Sequence, residues 1–230
     1  MLQVNDIFKS IDGEICGTNG IVGMQGGWTV FIRLQGCNLN PFCSWCDTKQ
    51  GQLPDSSKEM TIDQILERIW KVSEKRKIKK VTITGGEPLL QESSLIFLLH
   101  RLWEKKFYIS LETNGSFPIS HEIRPFINSF IIDIKAPSSG NPTIDIQKKN
   151  FHCLGTDDFF KFVIANEEDF LWAVQKKNEL KKITQAARFA MSALFNNQNE
   201  MIINPIELME KYNEYDFIFN LQIHKIVRAK

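Results

Sequence analysis

Cys37, Cys43 and Cys46 place three thiols within ten residues, in the stretch "GCNLNPFCSWC" (36–46). Thiolates ligate zinc and iron–sulfur clusters. A structural zinc site usually takes four ligands in two paired halves. A fourth ligand here would have to come from Cys16, Cys153 or His152, and none of them belongs to a second paired motif. A disulfide framework fits no better, because the chain has five cysteines and three of them are clustered. Three thiolates suit a [4Fe–4S] cluster with one iron left without a protein ligand, open to a substrate or cofactor.

Two further groups of residues could do chemistry. "TGGEP" (84–88) offers two glycines, which let a backbone come close to a ligand, and Glu87, an acceptor for an ammonium or a hydroxyl. "ETNG" (112–115) offers Glu112 and Asn114. Each also has a plain structural reading. Glu87 could sit at a helix N-terminus, where the dipole favours it, and Asn-Gly is a common turn pair.

These groups need elements to position them, and the pattern supplies strands. "TVFIRLQ" (29–35), "KVTITG" (80–85), "FYISLE" (107–112), "FIIDIK" (130–135), "FFKFVI" (159–164) and "RFAMSA" (188–193) read as strands, with "FIFNLQI" (217–223) as a last one. Between them, 61–76 carries the helical stripe Ile62, Ile65, Leu66, Ile69, Trp70, with Thr61 as its N-cap. Residues 95–103 carry a second stripe, and 167–182 and 205–212 also read as helices. Alternating strands and helices imply βαβ units and a parallel sheet. Six strands between 29 and 193 predict an α/β fold with a partial (βα)6 TIM-like barrel. The cysteines, "TGGEP", "ETNG" and "DIKAPSSG" (133–140) each follow a strand. Function in such barrels gathers at that edge.

Composition limits the remaining classes. With 28 basic and 27 acidic residues the net charge is +1, which gives no reason to expect nucleic acid or an anionic membrane as partner. No apolar run approaches the roughly 20 residues of a membrane span. The charged N-terminus, with Asp6, Lys9, Asp12 and Glu14, lacks a signal-peptide apolar region. These features predict a cytoplasmic protein. At 230 residues the chain is expected to form one domain, with a core at 29–193.

The order of cysteine cluster, "GGEP" and "ETNG" along successive βα units resembles the radical S-adenosylmethionine (SAM) superfamily. Within it the chain resembles the 7-carboxy-7-deazaguanine synthases of queuosine and deazapurine formation. "FKSIDGEICG" (8–17), "FIRLQGCNL" (31–39) with "CSWCDT" (43–48), "DIKAPSSG" and "NLQIHK" (220–225) carry that likeness. It implies that the open iron binds SAM and that reductive cleavage gives a 5′-deoxyadenosyl radical. The radical removes hydrogen from C6 of 6-carboxy-5,6,7,8-tetrahydropterin, the ring contracts, ammonia leaves, and SAM is regenerated. It further implies Mg²⁺, a flavodoxin or ferredoxin as reductant, a homodimer, and residues 1–28 and 194–230 as extensions closing the site on the substrate side.

Residue by residue, the resemblance implies that Cys37, Cys43 and Cys46 ligate the cluster. Gly85, Gly86 and Glu87 would hold the methionyl amino end of SAM, and Glu112 and Asn114 its ribose and methionyl parts. Ser138 would lie near the cofactor, with Ser139 as its rival. Thr48 would contact Mg²⁺, and Arg33 the substrate carboxylate, where a guanidinium fork fits. Asp12, Gly13, Glu14 and Thr84 would meet the pterin's polar edge, and His224 would close the pocket. The chain departs from the family's C-x3-C-x2-C by having C-x5-C-x2-C, and has Asp12 where the family has Gln. The alternative is a glycyl-radical activating enzyme, which carries similar cysteines. A non-catalytic zinc or iron–sulfur module would leave "GGEP" and "ETNG" unexplained.

Overall fold

The computed structural model describes residues 1–15, 17, 23–142, 153–184 and 187–229. Cys16 and His152 lie outside these. Among the described residues nine strands form one sheet: β1 (Leu2–Ile11), β2 (Trp28–Leu34), β3 (Glu59–Met60), β4 (Lys80–Gly85), β5 (Tyr108–Thr113), β6 (Ser129–Lys135), β7 (Phe159–Ile164), β8 (Arg188–Ala193) and β9 (Ile218–Phe219). The order across it is β3-β1-β2-β4-β5-β6-β7-β8-β9. β3 pairs antiparallel with β1 at the edge, whereas across the sheet from β2 to β9 every pairing is parallel, and from β4 each strand lies beside the next one in the chain. Such winding in one direction places the crossovers on one face and curls the sheet into part of a barrel. The expected partial barrel is therefore present, and among the described residues no helix is long and apolar enough to cross a membrane.

The five α-helices of the described residues are α1 (Ile62–Val72), α2 (Glu92–Glu104), α3 (Glu167–Lys181), α4 (Pro205–Tyr212) and α5 (Ile223–Ile226). Thr61 caps α1 as predicted. Its hydroxyl accepts from Gln64 N–H (3.2 Å) while the Gln64 side chain accepts from Thr61 N–H (2.8 Å), a capping box. The β5–β6 crossover has no α-helix, only a 3₁₀ turn at Arg124–Phe126. Ile119, Ile123 and Ile127 of that crossover fill the core where a helix would have packed.

Alternation along each strand separates two faces. Val30, Ile32, Leu34, Val81, Ile83, Ile109, Leu111, Phe130, Ile132, Phe160, Phe162 and Met191 join Ile65 and Ile69 of α1, Leu95, Leu98 and Leu102 of α2, and Phe170 of α3 in the outer core. The opposite face carries Arg33, Lys80, Thr82, Thr84, Glu112, Asp133, Lys135 and Lys161, and these line the bore.

Both ends of the chain differ from expectation. The N-terminal extension contains β1, antiparallel to β2. A register shift between Val4 and Asp6 turns Leu2, Val4 and Ile7 all to the outer core and breaks the period that would have marked the strand. The last strand, expected over 217–223, is only Ile218–Phe219. Beyond it the side chains of Asn220 and Gln222 donate to Glu14 and draw the chain across the bore, where it becomes α5.

Candidate active site

The carboxyl ends of the parallel strands surround a cavity with two lobes. One is lined by Cys37, Cys43, Cys46, Gly85, Gly86, Asn114, Lys135 and Lys161. The other is lined by Phe8, Phe31, Arg33, His224 and Arg228. Glu14, Asp47, Thr48, Thr84, Glu112 and Lys225 border both, so the two spaces share a wall.

The cysteine loop leaves β2 and is fixed from two sides. Gly36 N–H donates to Gly51 C=O (2.8 Å) and Cys37 N–H to Gln52 C=O (2.7 Å). The Gln35 amide reaches Gln50 C=O (2.8 Å) and Leu53 C=O (2.7 Å). On the far side Ser44 N–H donates to Ser139 C=O (3.0 Å). The Ser44 hydroxyl donates to Ser138 C=O (2.6 Å) and Trp45 Nε1–H to Ser138 Oγ (3.2 Å). The three thiols are free and half-buried. Burial pushes the Cys37 and Cys43 thiols up, with Lys135 opposing. Asn141 Nδ2 stands 3.8 Å from Cys43 Sγ, an amide donor next to the thiol. Among the described residues no three His, Cys, Asp or Glu side chains stand close enough together to hold a single metal ion. Three thiols of one loop around an open cavity fit a larger cluster.

In "TGGEP" the structure changes the reason for the glycines. Gly85 has φ +136°, and a side chain there would strike the Leu34 backbone; one at Gly86 would strike the Gly36 carbonyl. The backbone they admit is the cysteine loop itself, and Glu87 N–H donates to Gly36 C=O (2.8 Å). Glu87 is fully buried and does not line the cavity. Its carboxylate accepts from Leu89 N–H (3.0 Å), Thr113 Oγ1 (2.8 Å) and Asn114 N–H (2.7 Å), which ties the end of β4 to the end of β5. Burial pushes its pKa up, against those three donors. Asn114 lines the cavity and donates to Asn38 Oδ1 of the cysteine loop (2.9 Å).

The bore between the lobes is polar. Thr84 Oγ1 donates to Glu112 Oε2 (2.8 Å). Burial pushes the Glu112 carboxyl up to about 7, with Glu14 and Asp12 adding to the shift and Lys161 and Thr84 opposing it. Glu14 accepts from Asn220 Nδ2 (2.5 Å) and Gln222 Nε2 (2.7 Å), and Lys161 Nζ stands 3.3 Å away. Burial disfavours the Lys161 charge, but Glu14, Asp133 and Glu112 outweigh it and hold its pKa above the ordinary lysine value. Lys135 pairs with Asp133 (2.7 Å).

In the second lobe Arg33 lies with its guanidinium 5.2 Å from the Phe8 ring, and Phe8 stacks on Phe31 (5.3 Å). Thr48 Oγ1 donates to Asp47 Oδ1 (3.0 Å), and Asp47 Oδ2 pairs with Lys225 (3.1 Å). Burial holds His224 below the ordinary histidine value. Gly13 accepts from Ile223 N–H (3.3 Å) through its carbonyl.

The predicted residues thus fall into three groups. Cys37, Cys43, Cys46, Thr48, Gly85, Gly86, Glu112, Asn114, Glu14, Arg33, Thr84 and His224 border the cavity. Glu87 and Ser138 support it from behind: Ser138 Oγ donates to Asp169 (2.6 Å), and Ser139 is fully buried with its hydroxyl on Ala136 C=O (2.6 Å). Asp12 lies below the cavity in a buried pair with Lys80 (2.8 Å), and Gly13 packs under His224. Lys161, Asp133, Lys135, Asp47 and Lys225 were not anticipated. The available signal was an inward strand position: a lysine between Phe160 and Phe162 in a buried strand has to point into the bore.

The profile of the radical SAM superfamily matches residues 31–146. A 7-carboxy-7-deazaguanine synthase of Clostridium acetobutylicum is 32% identical over 229 residues, covering 98% of this chain and 95% of its own length. One from Chlorobaculum tepidum is 37% identical over 175 residues, covering 75% of this chain and 71% of its own. The crystal structure of QueE from Escherichia coli superposes with a TM-score of 0.69 over 96% of this chain and 94% of that one, at 19% identity. That likeness speaks for the fold.

Proposed function

The chain belongs to the radical SAM superfamily and within it to the 7-carboxy-7-deazaguanine synthases, and we propose that it contracts 6-carboxy-5,6,7,8-tetrahydropterin to 7-carboxy-7-deazaguanine with loss of ammonia. Membership brings a [4Fe–4S] cluster and SAM. When bound, the two supply a carbon radical able to take a hydrogen atom from the substrate. The protein's own part is binding, orientation and exclusion of water.

The two-lobed cavity with a shared wall carries this reading. Cys37, Cys43 and Cys46 would hold the cluster in the first lobe, with Gly85, Gly86, Glu112 and Asn114 towards SAM. Glu87 and Ser138 would act from behind, by fixing Asn114 and the cysteine loop. In the second lobe Arg33 would take the substrate carboxylate as a bidentate pair. Phe8 and Phe31 give that lobe an apolar wall for a flat ring. Thr84 and Glu14 would face the polar edge of the ring, and His224 would cover it. The Thr48 hydroxyl, with the substrate carboxylate and waters, is an oxygen donor set suited to Mg²⁺. A flavodoxin or ferredoxin would deliver the electron.

The test is anaerobic reconstitution with iron and sulfide, then turnover with SAM, Mg²⁺, a reductant and 6-carboxytetrahydropterin. The expected result is 7-carboxy-7-deazaguanine, with SAM regenerated, and no product from Cys43→Ala. A reconstituted enzyme that cleaves SAM and leaves the pterin unchanged would overturn the substrate assignment. Consumption of SAM upon activation of a protein glycine would favour the activating-enzyme alternative.

A further inference from the structure

Lys80 is a fully buried lysine outside the residues assigned so far. It starts β4 and points into the bore below the cavity. Its ammonium is 2.8 Å from Asp12 Oδ2, with the two side chains 0% and 2% exposed. It also donates to Gly23 C=O (3.4 Å) and stands 5.6 Å from the centre of the Tyr108 ring.

Asp12 and Gly23 belong to the two limbs of one loop. Asp12 N–H donates to Gly27 C=O (2.7 Å) and Gly26 N–H to Asp12 C=O (2.6 Å), so the loop closes at that point. The Asp12 carboxylate accepts from Thr82 Oγ1 (2.9 Å) as well as from Lys80, and from Glu14 N–H (3.2 Å). Lys80 thus holds both limbs, and Asp12 passes that anchorage to Glu14. Glu14 is the residue on which Asn220 and Gln222 converge, and Ile15 N–H donates to Asn220 Oδ1 (2.9 Å). His224 and Lys225 follow directly in the chain.

The connection reaches the second lobe through the wall that the two lobes share. Asp12 leads to Glu14, which borders both lobes, and Asn220 and Gln222 lead on to His224, which borders the second lobe together with Phe8, Phe31 and Arg33. The cysteine loop is held separately, by Gln35, Glu87, Ser138 and Ser139. A buried ion pair is weak evidence for stability, since desolvation offsets most of the attraction. A paired charge at the foot of a loop that carries a cavity residue has a better account in placing that loop.

We infer that Lys80, acting through Asp12, is the positioning residue that sets Glu14 and the C-terminal segment over the second lobe. The inference rests on the reading of that lobe as the pterin site. Lys80→Met leaves Asp12 without its cation and frees the loop. The expected result is a rise of about tenfold or more in KM for 6-carboxytetrahydropterin. Cluster content and SAM cleavage without pterin should stay within about twofold of the parent enzyme. The Asp12→Asn/Lys80→Met double variant leaves no stranded charge: Asn Oδ1 can still accept from Glu14 N–H, and its Nδ2 can donate to Thr82 Oγ1 with that bond reversed, so part of the KM should be recovered. A lysine that only supports the core would lower the melting temperature of the folded enzyme and leave KM unchanged, and that outcome overturns the proposal. So does a loss of cluster equal to the loss of pterin affinity.

Amide hydrogen exchange gives a readout that does not depend on the substrate. In Lys80→Met, or in Asp12→Asn if the first variant is insoluble, the Glu14, Ile15 and Ile223 amides should exchange about tenfold faster or more. Those of Thr84 and Leu111 should be unchanged. Unchanged exchange at Glu14 and Ile15 overturns the anchorage. Failure of the parent enzyme to turn over the pterin would instead refute the substrate, and leave the exchange result standing.

Discussion

Along β7, Phe160 and Phe162 lie in the outer core, and Lys161 between them stands beside Glu14 and Asp133 in the bore. Phe160 stacks on Phe189 (5.5 Å), and Phe162 meets Trp172 (6.3 Å) and Phe217 (5.9 Å) edge-on. The same division runs from β2 to β8. The outer face is held by burial of apolar area, which needs no directed partners. The inner face buries Lys80, Asp12, Glu14 and Lys161 and holds Glu112, Asp133 and Lys135 half-buried at the cavity wall, each beside an opposite charge or a donor. Desolvated ion pairs of this kind are often matched or exceeded in stability by apolar side chains of similar volume. A fold that keeps so many of them on one face is using that face for binding or chemistry.

The largest expected effect comes from breaking the inner face. Lys161→Met leaves Glu14 and Asp133 short of a cation and should cost about 3–5 kcal/mol of stability. It should also lower kcat/KM by about one to two orders of magnitude in the folded fraction, the worth of a hydrogen bond to a charged group. Urea unfolding and steady-state turnover check the two. A stable variant with unchanged kcat/KM would mean that the inner charges are not needed for the reaction.

Phe162→Ala on the other face should reach a similar stability loss, about 3–5 kcal/mol, through the cavity it leaves. It differs in having no effect on KM while the protein remains folded. A KM rise in Phe162→Ala as large as that in Lys161→Met would erase the distinction between the faces.

How much of this was legible in the sequence follows from the same division. Outer-face strands announce themselves, since an apolar residue at every second position is a signal that one chain carries alone. β4, β7, β8 and α4 fall where the pattern put them, to the residue. β1 was missed because the shift between Val4 and Asp6 breaks the period. The last strand was overextended because "NLQI" alternates like a strand while its amides are used by Glu14, 206 and 208 residues away in the chain. The cavity residues carried by a motif were legible. Lys161 and Lys80 were not, because a lone lysine in a strand shows its partner only after folding. Asp12 was expected in the cavity for the same reason: nothing in its neighbours points to Lys80, 68 residues on.

Glu112 gives the finest test of the comparison, because it asks whether the inner face behaves as a set of coupled charges. Burial lifts its folded-state pKa to about 7 from an ordinary value of 4.5. The folded state therefore binds the proton more tightly than the unfolded chain. The stability this contributes is fully present below pH 4.5 and is lost as pH rises through about 7. Gln at this position carries no charge at any pH. The stability of the parent relative to Glu112→Gln should therefore fall by on the order of 2–3 kcal/mol between about pH 4.5 and 8, read from urea midpoints. The same comparison for Phe162→Ala should be flat across that range. Lys161 is the cation that opposes the Glu112 shift, so in a Lys161→Met background the fall should move to higher pH. A flat difference for Glu112→Gln would mean that Glu112 is ionised throughout, with Lys161 as its full counter-ion, and that the bore is wetter than its burial suggests. A fall that does not move without Lys161 would leave burial alone as its cause, and would separate Glu112 from the network formed by Glu14, Asp133 and Lys161.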